Sequence, residues 1–330
     1  MSTTTQAPPA APSRVRARVL LAIRAAVSLT ILILLARRVD LSAVVPRWTP
    51  RTIGGLAAAA ATLLAGHAVA AARWREVLLA LDSAASYPSL LLYTLAGNFV
   101  GNFLPTAVAG DVVRVTRAGN DIASTETAFA STVIDRLSGW LVLPLMGIVG
   151  LVITPALRRD GHVRSLSIAL CLVSLAGLCV VLALAGSRRL GGKLHGRDGW
   201  TRFLGAVHFG IDKIRMHPLR GAKVLAVATA YQLVMVSGVW VANWALDLGV
   251  SPWAMLGVAP LVFIAQTLPL SIGGLGIREG AYSVLLAPLG VAKADAVGLG
   301  LALYALTILT SLIGAPAFAT PPASSTATRG

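Results

Sequence analysis

Long apolar runs alternate with short polar ones along the chain. Six runs, at about 18–36, 53–72, 137–157, 165–186, 223–247 and 296–318, each approach the roughly 20 residues that a helix needs to cross the bilayer core. Each is predicted as a transmembrane helix. Two more apolar regions, about 87–134 and 252–290, are interrupted by glycine, proline and charge. These are predicted as short, kinked or re-entrant helices. The pattern gives an all-α, polytopic membrane protein with about 6–8 transmembrane helices plus two broken segments.

The two interruptions share a pattern. Asn102-Phe-Leu-Pro-Thr-Ala-Val-Ala-Gly-Asp-Val-Val-Arg114 overlies Gln266-Thr-Leu-Pro-Leu-Ser-Ile-Gly-Gly-Leu-Gly-Ile-Arg278 without a gap. The offset from Arg114 to Arg278 is 164 residues. Amide, Leu-Pro, a small residue, Val/Ile, Gly, Val/Ile and Arg coincide. Paired interruptions in two halves of a membrane protein point to a binding site at their junction. Proline removes an N–H and glycine lets the backbone leave the helix, so each motif frees polar groups that hydrocarbon cannot satisfy. Such a break persists where it is buried in protein or lines a wet cavity. A half-helix starting there offers free N–H groups to an anion, and a nearby arginine adds bidentate contacts to phosphate.

Composition strengthens the membrane reading. The chain has 330 residues, of which 56% are hydrophobic and 12% charged, with a mean hydropathy of +0.78. That is more apolar surface than one soluble core buries. Residues 1–17 and 319–330 are expected as disordered tails around a single transmembrane domain at 18–318. Arg14, Arg16 and Arg18 precede the first run, but its length and its end at Arg37-Arg38, without a small-residue cleavage site, argue against a signal peptide.

A formal net charge of +15 would suit a nucleic-acid binder, yet the basic residues fall in short loops and at helix ends. Membrane lipids are the expected partners, and nucleic acid is not. The basic residues are densest in the 187–222 loop, which is expected to be cytoplasmic together with the N-terminus of a multi-pass protein of the cell membrane. Arg37, Arg38, Arg47 and Arg51 follow the first span, so charge alone leaves the topology open. Within the loop, Trp200, Phe203, Leu204, Val207, Ile211 and Ile214 recur at helical spacing, which predicts a basic amphipathic helix over 200–215 lying on an anionic leaflet. Cys171 and Cys179 are eight residues apart on one predicted helix and cannot pair. Neither has a histidine at ligand spacing, so no metal or cofactor is expected.

The intramembrane charges are the candidate chemistry. Asp111, Glu126, Asp135, Asp247 and Glu279 lie within or beside apolar segments, where an unpaired charge costs about 2.5–3.5 kcal/mol on insertion scales. Asp111 and Arg114 share a helix face. Asp135-Arg136 and Arg278-Glu279 are sequence neighbours whose side chains diverge, so each is expected to find partners elsewhere. The plain reading is ion pairs that hold broken helices together; the sharper reading is a substrate or proton path. The candidate headgroup site comprises Arg114, Arg278, Asp111, Glu279, Asn98, Asn102, Gln266, Gly110, Gly273 and Gly274, with Asp135, Arg136, Glu126 and Arg73 as supporting charges. Asp247 is expected at a solvated helix end. His67 is expected to hydrogen-bond a neighbouring helix. Gly97 and Gly101, with Asn98 and Asn102 at the same spacing, fit close helix packing or a polar cavity wall.

These motifs together resemble the membrane region of the lysylphosphatidylglycerol synthase family, flippase-like integral membrane proteins. The resemblance rests on Val39-Asp40-Leu41, Arg73-Trp74 before Leu78-Leu79, Asn102-Phe103-Leu104-Pro105 with Gly110-Asp111 and Arg114, Asp135-Arg136, and the run from Gly273 through Arg278 and Glu279 to Gly280. It spans about 18 to 318. Asp111 stands where the family often has glutamate, and Leu270-Ser271 replaces a second proline. The soluble aminoacyl-transferring domain of the bifunctional synthases is not seen, so lysyl-transferase activity is not expected. The resemblance implies a non-enzymatic protein that moves an anionic lipid, a phospholipid or polyprenyl-phosphate glycolipid, between leaflets. In that reading Arg114 and Arg278 hold the phosphate, Asp111 and Glu279 orient them or exchange protons, and no residue is catalytic. The alternatives are a membrane-embedded lipid-modifying transferase, or a scaffold or regulator of envelope-biosynthesis enzymes.

Overall fold

The computed structural model describes residues 29–30, 33–34, 37, 47–103, 109–186, 200–267 and 273–319. The expected first span at 18–36 and both tails fall largely or wholly outside this set, as do the Leu-Pro steps of both repeat motifs. The described residues form an all-α membrane protein. Five helices are long and apolar enough to cross a bilayer. They are α1 (Pro50–Ala80), α4 (Thr125–Ile153), α6 (Gly161–Gly186), α8 (Pro218–Ala245) and α11 (Lys293–Ser311). Between them lie α2 (Tyr87–Phe103), α3 (Ala109–Asp121), α5 (Pro155–Arg159), α7 (Trp200–Met216), α9 (Pro252–Thr267) and α10 (Ile277–Leu285), with α12 (Gly314–Ala319) last.

Several helices outrun their apolar stretches. The span expected at 137–157 begins at Thr125, where the Ser124 hydroxyl accepts the Thr127 N–H at 3.2 Å and caps the helix. Glu126, Asp135 and Arg136 therefore ride on α4. Likewise α1 runs to Ala80, past Arg73, because Arg73 and Asp135 are paired inside the bundle.

The broken regions are helical hairpins. In α2–α3 the two arms run antiparallel: the Tyr93 hydroxyl donates to Asp121 at 2.8 Å, and Gly97 lies against Arg114 and Gly110. A Cβ on Gly97 would stand 2.8 Å from the Gly110 carbonyl oxygen, so the crossing requires glycine. In α9–α10 the arms close through Gln266 and Arg278.

The long helices α1 and α8 are the closest-packed pair and run antiparallel. Gly55 meets Ala245, Gly66 meets Met235, and Arg73 lies over Tyr231. The 164-residue offset of the sequence motif carries α2, α3 and α4 onto α9, α10 and α11 as well. Each half is therefore a long helix, a hairpin and a second long helix, and antiparallel α1 and α8 make the halves inverted. A paired clamp marks the relation. Asp82 and Asp247 both follow the long helix in the left-handed region, at φ 55° and 59°. Asp82 pairs with Arg220 at the start of α8, and Asp247 with Arg51 at the start of α1, each at 2.9 Å. Arg220 also donates to the Leu79 carbonyl and Arg51 to that of Trp244. The two hairpins consequently enter the bundle from opposite ends.

The amphipathic helix appears as α7, but its apolar face is not free for a leaflet. Phe203, Leu204, Val207, Ile211 and Ile214 pack against side chains of α4 and α6, and Val207 is fully buried. Lys213 and Arg220 then hold Asp82 at 2.8 and 2.9 Å. Cys171 is buried, and Cys179 is exposed on the same helix.

Candidate functional site

The two inverted halves enclose a cavity of 610 Å³. This falls within the roughly 300–1,000 Å³ usual for small-molecule sites. Its wall carries four arginines, Arg73, Arg114, Arg136 and Arg278, and one carboxylate, Asp135. Arg114 from the first repeat and Arg278 from the second share this one cavity. Asn98, Gln266 and Thr267 also line it.

In the first half the charges are tied to one another. Asp135, 1% exposed, accepts Arg73 Nε at 2.6 Å and Nη2 at 3.1 Å, and Arg114 Nη2 at 3.0 Å. The Arg114 guanidinium lies 4.1 Å over Trp74, whose indole N–H donates to Ser131 at 2.9 Å. Arg73 lies 4.6 Å over Tyr231. Arg136 makes a two-pronged bond to Asp111 at 2.7 Å on each oxygen, and Arg114 approaches Asp111 at 3.9 Å. Sequence neighbours 135 and 136 thus do take separate partners. One carboxylate holding two buried guanidiniums leaves positive charge facing the cavity.

The second half is built differently. Arg278 Nε donates to Gln266 Oε1 at 3.0 Å and Nη2 to the Gly273 carbonyl at 3.4 Å, with the Tyr304 ring 5.3 Å away. Both bonded partners are neutral. Arg278 Nη1 is buried and has no hydrogen-bond partner among the described residues. Glu279, its sequence neighbour, turns away. Its Oε2 accepts the Gly276 N–H at 2.6 Å and caps α10. Gly276 sits at φ 86° and Gly273 and Gly274 at 59° and 76°, a left-handed run that only glycine adopts readily. Gly274 also faces Gln266, where a Cβ would stand 3.1 Å from its side chain.

Other candidates distribute around this core. Gly110, Asp111 and Asn102 line a side pocket of 210 Å³ with Gly97 and Gly101, and this pocket shares Asn98, Arg114 and Arg136 with the main cavity. Glu126 is exposed on the first turn of α4 and lines neither space. Asp247 is 78% exposed, as a solvated helix end requires. His67 lines the cavity and makes no hydrogen bond among the described residues, in place of the helix-to-helix bond expected of it. Sequence reasoning missed Thr94, Tyr231, Gln232 and Tyr282, which also line the cavity. Gln232 carried a signal: it is an amide in the middle of an apolar run.

The comparison with known proteins agrees with this architecture. Over 252 residues the chain is 28% identical to a UPF0104 membrane protein of Methanothermobacter thermautotrophicus, covering 66% of this chain and 69% of that protein. The family model for the lysylphosphatidylglycerol synthase TM region matches residues 21–314, which take in both hairpins, the clamps and every arginine of the cavity. With nearly the whole chain matched, the protein belongs to the lysylphosphatidylglycerol synthase TM region family.

Proposed function

We propose that the protein binds the anionic headgroup of a lipid in the cavity between its two hairpins and passes that lipid between leaflets without modifying it. The observation that carries this reading is Arg278: a buried guanidinium with neutral partners and an unbonded Nη1 at the cavity wall. A buried guanidinium whose hydrogen-bond partners are all neutral is costly, and a phosphate oxygen supplies a charge-assisted bond to it. The inverted halves support movement, because hairpins entering from opposite ends give the site a route to either face by rocking of one half against the other. The end of the bundle carrying α7, with Arg202, Lys213, Arg215 and Arg220, is assigned to the cytoplasm of a cell-membrane protein by its basic excess.

The test uses the full chain in vesicles and follows the exchange of an anionic phospholipid between leaflets. A charge-assisted hydrogen bond contributes about 1.5–3 kcal/mol, so Arg278→Gln is expected to slow exchange by about 10–100-fold. Its melting temperature should stay near that of the parent, because no carboxylate loses a hydrogen-bonded partner. If Arg278→Gln moves lipid at the parent's rate, the site assignment falls.

A further inference from the structure

The proposed site also carries information about which headgroup it takes. Beyond the arginines, the cavity wall holds neutral hydrogen-bonding side chains that the protein itself does not satisfy. Thr94 Oγ1 and the Tyr282 hydroxyl are buried and have no partner among the described residues. Gln232, 5% exposed, and Asn98 line the same space and make no hydrogen bond among the described residues. The Gln232 amide is held beside Arg73, since both would stand 3.3–3.5 Å from a Cβ on Gly139. These groups come from α1's neighbours on both halves: Thr94 and Asn98 from the first hairpin, Gln232 from α8 and Tyr282 from the second hairpin. Buried polar groups are normally paired, because leaving one unpaired costs about 1–3 kcal/mol. Two such buried hydroxyls on one cavity wall, Thr94 and Tyr282, beside the amides of Gln232 and Asn98, call for a ligand rich in donors and acceptors.

The charges of the wall point the same way. A free carboxylate is the counter-ion that would favour an ammonium headgroup. Asp135 is chelated by Arg73 and Arg114, and Asp111 is gripped through both oxygens by Arg136. Glu279 has one unbonded oxygen, but it packs against Gly300 and does not line the cavity. No carboxylate among the described lining residues is left for a cation.

Resting on the proposed lipid-binding function, we infer that the cavity selects a hydroxyl-bearing phosphate headgroup, a polyol or sugar, over one that carries an amine in place of hydroxyls. Arg278 holds the phosphate, and Asn98, Thr94, Gln232 and Tyr282 exchange hydrogen bonds with the hydroxyls. Selection of this kind is steep, because a site built to bond hydroxyls is left with unpaired groups when they are missing.

The test measures binding of short-chain lipids to the purified full chain in detergent: phosphatidylinositol, phosphatidylglycerol, phosphatidic acid, phosphatidylethanolamine and a lysyl ester of phosphatidylglycerol. Phosphatidylinositol and phosphatidylglycerol are expected to bind about tenfold more tightly than the two amine-bearing lipids, the equivalent of one or two good hydrogen bonds. The preference for phosphatidylinositol over phosphatidic acid should shrink toward one in Gln232→Leu, and also in Asn98→Leu, which serves if the first variant does not fold. Equal or tighter binding of the amine lipids, or an unchanged preference in the folded variants, overturns the headgroup inference while Arg278→Gln still weakens every anionic lipid. If no anionic lipid binds the parent, or Arg278→Gln binds all of them normally, the lipid-binding reading fails and this inference fails with it.

Discussion

The first hairpin, α2–α3, and the second, α9–α10, place an arginine at the same position of the same motif and use it in opposite ways. Arg114 is locked by Asp135, a carboxylate it shares with Arg73, and lies against Trp74. Arg278 meets an amide and a backbone carbonyl and keeps one terminal nitrogen unbonded. Inverted repeats therefore conserve the placement of a charge without conserving its compensation. The first half behaves as a frame whose charges are bonded to one another, and the second presents a guanidinium with no carboxylate bonded to it to whatever enters the cavity.

The comparison breaks most readily at Asp135. Replacing it with Asn leaves Arg73 and Arg114 buried without their anion, which is expected to cost about 3–5 kcal/mol. Thermal melting in detergent should show a large drop for Asp135→Asn beside little or none for Arg278→Gln. Equal melting temperatures for the two variants would erase the distinction between frame and ligand site.

Backbone approach gives a second contrast of intermediate size. A methyl on Gly110 runs into the carbonyl of Gly97, backbone against backbone, so it cannot be relieved by a side-chain rotation. Overpacking of this kind costs roughly 1–3 kcal/mol. Gly280, in the second hairpin, has open space where a Cβ would stand. There an Ala should be neutral or stabilising by about 0.5–1 kcal/mol, since alanine loses less entropy in a helix. The same melting series measures both, and a first hairpin that tolerates Gly110→Ala would mean its arms are less rigidly joined than their crossing implies.

How much of this was readable beforehand follows from the range of each interaction. Helix existence came from apolar run length, and the repeat came from a short motif, because both are local properties of the chain. Asp135-Arg136 could be read as a pair with diverging side chains for the same reason. The partner of each charge could not, since Arg73 and Asp135 are 62 residues apart and meet only once α1 packs on α4. Glu279 illustrates the limit best. Its place beside Arg278 in sequence suggests an orienting partner, but the left-handed Gly276 turns its N–H into reach and the carboxylate caps the helix. His67 and α7 follow the same rule: a polar group or an apolar face states a need in the sequence, and the fold decides what meets it.

The smallest expected effect lies at the two clamps, which repeat the comparison at the surface. Asp82 and Asp247 occupy equivalent left-handed positions, but Asp82 has two cationic neighbours, Lys213 and Arg220, with the His217 ring 3.6 Å away, and Asp247 has Arg51. The hydrogen bond from Lys213 is the largest of the influences that hold the Asp82 carboxyl below its ordinary range. A lowered folded value means that the stabilisation is present above the unfolded value of about 4 and disappears as pH falls through the lowered one. Asp82→Asn, which keeps a residue tolerant of positive φ, is expected to melt slightly below the parent at neutral pH. That gap should close as pH falls beneath about 4, as the parent's carboxylate becomes protonated and loses its cations. Raising the salt concentration at neutral pH should narrow it as well, because an exposed pair is screened. A gap that stays constant from neutral to acid pH would show that Asp82 acts through its backbone conformation, leaving the charge of this clamp without a part in joining the two halves.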